Sequence, residues 1–261
     1  MEGPNRIRIL VAEDNEANRM LAIQQLDRLG FAGEAVSTGA EAVLAVAREV
    51  PRLVLMDCHM PQMDGYAATA AIRAAELGTE RHTIVVAMTA NASTSDRDAC
   101  LAAGMDDYLS KPVLMADLDR ALARWLPEHA ASVGAPSPAV AAAAPEDGPL
   151  DHGILNRLRR DLRNDESFTD LLHVYMDELP RRVDGLVNAA EAADGAGVRS
   201  AAHTMKSTSA MVGALTLSRL CSEIEAEPDG PASVAAGPVR EIAREADAVL
   251  RELKNLLAKG L

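Results

Sequence analysis

The chain has 261 residues, a formal net charge of −13 and a composition that is 48% hydrophobic but only 2% aromatic. This length predicts two domains with aliphatic cores, and the acidic balance of both halves argues against the basic surface that nucleic acid or an anionic membrane requires. No apolar run is long enough for a membrane segment, no signal peptide follows Met1, and the three scattered cysteines form no disulfide framework, so we expect a cytoplasmic protein.

The first half alternates short apolar runs with helical patterns. Strands are predicted at residues 7–12, 34–36, 53–56, 83–88 and 106–109. Helices are predicted after them, ending at residue 29 and then covering 39–50, 64–77, 93–103 and 113–126. The wholly apolar run at 53–56 suits a strand that is buried on both faces of a parallel sheet. Five such alternations predict a doubly wound α/β domain with a five-stranded parallel sheet at residues 5–127.

The second half is predicted to be entirely helical. Residues 128–149 are rich in Ala and Pro and have no amphipathic period, which predicts a linker. Helical patterns follow at residues 150–163, 167–193, 197–212, 215–227 and 238–258, with Pro180 expected to kink the second. Short breaks marked by Gly or Pro favour an antiparallel all-α domain of the four-helix-bundle type at residues 150–260.

Reactive side chains stand at the carboxyl ends of four predicted strands: Glu13 with Asp14, Asp57, Thr89 and Lys111. A parallel sheet brings these ends to one edge, where ligands bind. Three carboxylates repel one another, so the site requires a hard divalent cation, and Mg²⁺ is the natural candidate. A carboxylate nucleophile with a metal, an ammonium and a hydroxyl suits a phosphoryl group. Each residue alone also has a purely structural explanation, but no structural need places all of them together.

Four stretches of the first half carry a family resemblance: ILVAEDNEANR, LVLMDCHMPQMDG, VVAMTANAS and AAGMDDYLSKPV. Residues 5–127 resemble the receiver domain of two-component response regulators, especially those attached to hybrid histidine kinases. The resemblance implies a flavodoxin-like fold with Asp57 as the phosphoacceptor. It also implies that Asp14 and Asp57 bind Mg²⁺ directly, that Glu13 helps through water, and that the backbone carbonyl of His59 is a further ligand.

The same resemblance implies roles for residues of the last two strands. Thr89 and Lys111 are expected to hold the phosphoryl oxygens. Tyr108 is expected to act as an aromatic switch that turns inward when Thr89 moves. The peptide bond between Lys111 and Pro112 is expected to be cis, as cis bonds are essentially a proline feature.

His203 is the histidine of the second half that has chemically suggestive neighbours. A stripe with alternating steps of four and three residues is predicted to face the core: Val198, Ala202, Met205, Ser209 and Val212. His203 lies on the adjacent stripe, which is predicted to be exposed and also holds Arg199, Lys206, Ser207 and Ala210. The two cations favour a neutral imidazole and attract a phosphoryl oxyanion. A solvated histidine on a charged face is the alternative.

The stretch AAHTMKSTSAMVGA resembles the signature of histidine-containing phosphotransfer (HPt) domains, and the resemblance covers about residues 150–258. It implies that His203 is the phosphohistidine and that Lys206 stabilises its phosphate. Ser207 departs from the family pattern, which usually has Gly at this position, so a docking partner is expected to meet more crowding there.

The leading hypothesis is a phosphorelay protein that passes phosphoryl groups between Asp57, His203 and outside partners. The expected partners are a histidine kinase, a downstream response regulator or both, and an intramolecular receiver–HPt contact is also expected. The alternatives are the C-terminal part of a hybrid histidine kinase, a phosphatase-type hydrolase, and a receiver that only sequesters a kinase. The sequence contains no recognisable ATP-binding kinase segment, so whether the chain counts as an enzyme stays open.

Overall fold

The computed structural model describes residues 6–90, 94–127, 148–226 and 236–259. The chain divides into two compact units, Met1–Val140 and Ala141–Leu261. Four predicted features lie wholly or partly outside the described residues: the helix start at Ser93, most of the linker at 128–149, the helix end at residue 227, and the outer domain limits at residues 5 and 260. Those limits stay predictions.

The first unit is built on a five-stranded parallel sheet with the order β2-β1-β3-β4-β5. Its strands are β1 (Arg8–Ala12), β2 (Ala32–Val36), β3 (Leu53–Asp57), β4 (Ile84–Thr89) and β5 (Asp107–Ser110). The register sets Ala12 beside Met56 and Asp57 beside Met88. The carboxyl ends of the strands therefore meet at one edge, and the order reverses between β1 and β3, where such folds bind ligands.

Five described helices cover the two faces of this sheet. They are α1 (Glu16–Arg28), α2 (Gly39–Glu49), α3 (Gly65–Glu76), α4 (Thr94–Ala102) and α5 (Met115–Trp125). Alternate residues of β1 enter opposite cores, because successive strand side chains point to opposite faces. Ile9 and Val11 pack with α1 and α5, whereas Leu10 and Ala12 pack with α2 and α3. The predicted flavodoxin-like doubly wound fold is confirmed.

The second unit contains five described helices. They are α6 (His152–Asp161), α7 (Asp165–Glu191), α8 (Gly195–Met211), α9 (Leu215–Ala226) and α10 (Ala236–Ala258). Helices α7, α8, α9 and α10 pack each against the next, and α10 returns to α7, which closes a four-helix bundle. Helix α6 packs on α7 and α8. The predicted all-α architecture is confirmed, and α7 runs through Pro180 as one helix.

Most predicted element limits agree with the structure to within about two residues, the usual variation at element ends. Strand β2 begins two residues earlier than predicted. The prediction was short because the sequence of the strand, AGEAV, has no clear apolar pattern. The strand lies at an edge of the sheet and its central residues are exposed, so burial did not select apolar side chains there. Among the described residues, no helix combines the length and apolar character that a bilayer span requires.

Candidate functional site

The carboxyl ends of β1 and β3 bring together the three acids that the sequence singled out. Carboxylate oxygens of Glu13, Asp14 and Asp57 all lie within 4.8 Å of one another. Glu13 and Asp57 are buried, and Asp14 is partly exposed. Clustered carboxylate oxygens are the donors that hard divalent cations prefer, so this group can hold a metal ion.

Lys111 connects two of these acids. Its Nζ atom lies 2.6 Å from Glu13 Oε2 and 2.8 Å from Asp57 Oδ2, and its side chain is only 6% exposed. The Lys111 amide donates to the Thr89 carbonyl at 2.7 Å, which aligns the residue after β5 with the end of β4. The peptide bond to Pro112 is cis, as predicted. A solvated lysine, the structural alternative for this position, does not fit these contacts.

The charges of the cluster do not balance. Burial raises the pKa of Glu13, and the negative charge of Asp57 raises it further against the attraction of Lys111. Burial alone would lower the pKa of Lys111, but the charges of Glu13 and Asp57 outweigh burial and the pKa is raised. The ammonium is therefore held in its charged form. In the described part of the chain, three carboxylates cluster beside the Lys111 ammonium, and a divalent cation would offset the remaining negative charge.

Backbone packing fixes Asp57 at the end of β3. Its Oδ1 accepts a hydrogen bond from the His59 amide at 3.1 Å. Gly65 starts α3 directly against this strand, where a Cβ would come within 2.1 Å of the Asp57 carbonyl oxygen. Only glycine fits this close approach. The glycine of the Asp64-Gly65 pair is therefore required by packing against β3, in addition to its role in the turn.

The structure places the remaining predicted receiver residues near this edge but does not test their roles. Thr89 is the last residue of β4 and is buried. Tyr108 lies on β5, is partly buried and packs against the core shared with α2 and α3. The metal-binding role expected of the His59 carbonyl and the switching role expected of Tyr108 stay predictions.

Sequence reasoning missed the support that α1 gives to the acidic pair. Asn18 Nδ2 donates to Glu13 Oε1 at 3.2 Å. Arg19 Nη1 donates to the backbone carbonyls of Glu13 and Asp14 at 2.9 and 3.2 Å. Both residues belong to the ILVAEDNEANR motif. Their position in the first turns of the helix that follows the acids was the sequence feature that could have indicated these contacts.

The second predicted site lies on α8. His203 Nδ1 is hydrogen-bonded to Glu225 Oε1, and Lys206 Nζ donates to Glu225 Oε2 at 2.7 Å. The prediction that His203 is exposed was wrong, because its side chain is 22% exposed and is held against α9 by Glu225. The expected proximity of His203 and Lys206 is present, and the two share one carboxylate.

The stripe predicted to face the bundle core is buried as expected: Val198, Ala202, Met205, Ser209 and Val212. Ser207, assigned from the sequence to the exposed stripe, is buried as well. Its hydroxyl donates to the Thr204 carbonyl at 3.3 Å. The buried face of α8 is wider than the sequence pattern indicated, because the helix packs against α7 on one side and α9 on the other.

Glu225 is a residue of the second candidate site that the sequence analysis did not identify. Burial acts to raise the pKa of this carboxyl group, but hydrogen bonds from His203 and Lys206 outweigh burial and lower it. Glu225 follows the buried residues Cys221 and Ile224 of α9. Its position beside the apolar stripe of α9 was the one sequence signal that it would face α8.

Comparisons with known proteins agree with this architecture. A family model described as the response regulator receiver domain matches residues 9–123, and one described as the Hpt domain matches residues 170–259. The virulence sensor protein BvgS of Bordetella pertussis is 33% identical over 266 residues, which cover 96% of this chain and 21% of that protein. The sensor protein GacS of Pseudomonas syringae pv. syringae is 42% identical over 119 residues, which cover 45% of this chain and 13% of that protein.

A solved structure, the receiver domain of sensor histidine kinase PA1611 from Pseudomonas aeruginosa PAO1, is 42% identical with a TM-score of 0.42. The match covers 46% of this chain and 98% of that one. The chain spans about a fifth or less of the two curated relatives named above. The two family models together match most of the chain. The chain therefore belongs to the two-component phosphorelay proteins and carries a response regulator receiver domain followed by an Hpt domain.

Proposed function

We propose that this chain relays phosphoryl groups, with Asp57 as the acceptor of the receiver domain and His203 as the carrier of the Hpt domain. The donor to Asp57 is a phosphohistidine of a histidine kinase, and His203 exchanges with receiver domains. The observation that carries the proposal is the buried contact of Lys111 with both Asp57 and Glu13, inside a cluster of three carboxylates. The set combines a nucleophile, a fixed cation and a metal-binding group.

Mg²⁺ fits the donor set of the receiver site, which offers hard oxygen ligands and an excess of negative charge. We assign Asp14 and Asp57 as direct ligands, Glu13 as a ligand through water, and the His59 carbonyl as a further ligand. When bound, the ion would supply the divalent charge that offsets the carboxylates and the phosphoryl oxygens.

Chemistry at Asp57 is a displacement at phosphorus. A carboxylate oxygen of Asp57 attacks the phosphorus atom of the phosphohistidine, and the P–N bond breaks with its electron pair remaining on the donor imidazole. The product is an acyl phosphate. Lys111 is placed to hold a phosphoryl oxygen because its ammonium already contacts Asp57 Oδ2 at 2.8 Å. Thr89, buried at the end of the neighbouring strand, supplies a hydroxyl donor for a second oxygen.

At His203, the contact with Glu225 assigns the two ring nitrogens. Since Nδ1 bonds to the carboxylate, we assign Nε2 as the nitrogen that takes the phosphoryl group. A carboxylate that accepts from Nδ1–H fixes the ring orientation and the tautomer with a lone pair on Nε2. Lys206, one turn further along α8 and held by the same carboxylate, supplies positive charge for the phosphoryl oxygens.

The test of the function uses a phosphorylated histidine kinase as donor and maps the label by its chemical stability. We expect a base-labile acyl phosphate that Asp57→Asn abolishes, and a base-stable phosphohistidine that His203→Gln abolishes. Asp98→Asn, which changes an exposed carboxyl group of α4, is the matched control. Undiminished labelling of Asp57→Asn would contradict the proposal, and stoichiometric kinase binding without any label would favour the sequestering alternative.

We propose further that the two sites exchange phosphoryl groups within one polypeptide. Joining two sites in one chain raises the effective concentration of each for the other, up to about the millimolar range when the connection allows them to meet. A chain labelled on Asp57 should then form phosphohistidine at a rate that does not change on dilution, and His203→Gln should abolish this product. A rate that falls with dilution would mean that the two domains serve separate partners.

A further inference from the structure

The acidic pair of the receiver site belongs to a short segment between the end of β1 and the start of α1. The Glu13 amide donates to the Val36 carbonyl of β2 at 3.1 Å, which fixes the segment where it leaves the sheet. The carbonyl oxygens of Glu13 and Asp14 both accept hydrogen bonds from Arg19 Nη1, at 2.9 and 3.2 Å. One guanidinium nitrogen therefore joins two successive peptide groups that carry two of the three clustered carboxylates.

Arg19 is itself fixed by the first turn of α1. Its amide donates to the Asn15 carbonyl at 2.9 Å, and the Asn15 side chain caps the helix by accepting from the Asn18 amide at 2.9 Å. The Arg19 side chain is half-buried, so its path back to the acidic segment is confined. The helix thus provides a rigid base from which the guanidinium holds the segment, and sites supported by helices are more precise than sites on loops.

We infer that Arg19 is a positioning residue of the receiver site, which holds the backbone of Glu13 and Asp14 so that their carboxylates converge on the metal position beside Asp57. The inference rests on the proposed function, since it concerns Mg²⁺ at that site. Residues that hydrogen-bond to metal ligands orient those ligands, and the loss of such a residue weakens metal affinity by about 10- to 100-fold. Arg19 donates its hydrogen bonds to the peptide carbonyls of the two acids, so it supports the ligands without occupying the metal position.

The positive charge of Arg19 has the opposite expected effect on metal binding. A guanidinium near the cluster repels a divalent cation, so removing only its charge would tighten Mg²⁺ binding. Removing its hydrogen bonds would free the acidic segment and weaken binding. The sign of the change in Mg²⁺ affinity therefore separates a positioning role from a purely electrostatic one, and positioning predicts a weaker affinity.

The experiment is a calorimetric titration of Mg²⁺ into the full chain without any phosphodonor. For Arg19→Met, which keeps the length of the side chain but not its donors, we expect the Kd for Mg²⁺ to rise about 10-fold. Arg28→Met, on the exposed last turn of the same helix, is the control and should change the Kd by less than about twofold. The labelling that Arg19→Met loses at low Mg²⁺ should be recovered in large part at saturating Mg²⁺, a dependence on metal concentration that misfolding would not show.

A Kd for Arg19→Met that is unchanged or lower than that of the parent would overturn the inference, as would an equal weakening in Arg28→Met. If Arg19→Met does not fold, Arg19→Lys replaces it: its shorter reach predicts a rise in Kd of about threefold, and a parental value would overturn the inference. No Mg²⁺ binding by the parent chain would overturn both this inference and the proposed metal site. The expected weakening of Mg²⁺ binding in Arg19→Met together with no labelling of Asp57 in the parent would overturn the proposed function alone.

Discussion

Asp57 and His203 each lie in a cluster with a lysine, but the number of carboxylates in that cluster differs. In the receiver domain, Lys111 stands among three clustered carboxylates and contacts two of them. In the Hpt domain, the described partner of Lys206 is the carboxylate of Glu225, which also holds the imidazole. The first cluster has an excess of negative charge, whereas the lysine and the glutamate of the second offset each other.

This excess of negative charge at the receiver site indicates which of the two sites requires an external cation. An acyl phosphate adds further negative charge to a buried group of carboxylates, and a single ammonium does not compensate for it. A phosphohistidine adds its charge beside an imidazole and an ammonium, in a position that is part exposed to water. The carboxylate count therefore predicts metal dependence at Asp57 and metal independence at His203.

The first prediction is that removal of the metal changes labelling more than loss of Lys111 or Glu225 does. With a small phosphoramidate as donor, EDTA should lower the labelling of Asp57 by at least about 100-fold, because the three carboxylates then lack a divalent counter-charge. Direct labelling of His203 by the same donor, measured in the Asp57→Asn chain, should change by less than about twofold, since Glu225 is already balanced by Lys206. Mass spectrometry of each labelled chain, with and without EDTA, provides the measurement.

Readdition of Mg²⁺ after EDTA is the control for this comparison and should restore the labelling of Asp57. Equal sensitivity of the two sites to EDTA would show that the number of clustered carboxylates does not determine metal dependence. Insensitivity of Asp57 alone would show that Lys111 suffices as the counter-charge at the receiver site.

The sequence predicted the receiver site better than the Hpt site, and the reason lies in how each fold assembles its residues. In a parallel sheet, side chains at the carboxyl ends of strands meet at one edge. Glu13, Asp57 and Lys111 could therefore be placed together because each follows or ends a predicted strand. In a helical bundle, contact between α8 and α9 depends on the rotation of each helix about its axis. A residue such as Glu225 has no comparable topological signal.

Supporting contacts were harder still to predict. The bond from Arg19 to the Glu13 and Asp14 carbonyls depends on a side chain that folds back along its own helix start. The burial of Ser207 depends on how closely α7 and α9 approach α8. A periodic pattern gives the centre of a buried face but not its width, which is why His203 and Ser207 were both expected to be more exposed than they are.

The second prediction removes the fixed cation of the receiver site. Lys111→Met should lower the labelling of Asp57 by about 100-fold, because no ammonium remains to hold a phosphoryl oxygen in the buried site. Its loss also leaves Glu13 and Asp57 without their shared partner, so the chain should unfold at a lower temperature in the absence of Mg²⁺. Initial labelling rates and thermal unfolding curves measure the two effects.

Lys254→Met is the matched control for that substitution, since Lys254 lies on α10 and is exposed. Its labelling rate and unfolding temperature should equal those of the parent. Labelling of Lys111→Met at the parental rate would show that Lys111 takes no part in phosphoryl transfer. Its contacts with Glu13 and Asp57 would then contribute to stability alone.

The third prediction concerns the carboxylate shared by His203 and Lys206. Glu225→Ala should lower the rate of phosphohistidine formation about 10-fold, because the imidazole loses the acceptor that fixes its orientation and Lys206 loses its anchor. Glu225→Gln keeps an oxygen acceptor and should lose less. The measurement is transfer from a phosphorylated receiver to His203, and Glu223→Ala on the exposed face of α9 is the control. Equal rates in all three variants would leave Glu225 without a role in transfer.

The fourth prediction is a modest pH dependence of stability that arises at the Hpt site. Because His203 and Lys206 lower the pKa of Glu225, the ionised carboxylate stabilises the folded domain above the unfolded value for a glutamate, about 4.3. This contribution is lost as the pH falls through the lower pKa of the folded state.

The unfolding temperature of the parent should therefore exceed that of Glu225→Gln at pH 6, and the gap should narrow as the pH falls below about 4.3. Circular dichroism follows the helices in this experiment, while fluorescence of the single tryptophan, Trp125, marks unfolding of the receiver domain separately. Glu223→Gln, which changes an exposed carboxylate of the same helix, should show a much smaller gap at every pH. A gap for Glu225→Gln that stays constant from pH 6 to pH 3 would mean that its cause is lost packing, and that the pairing with His203 and Lys206 contributes no measurable stability.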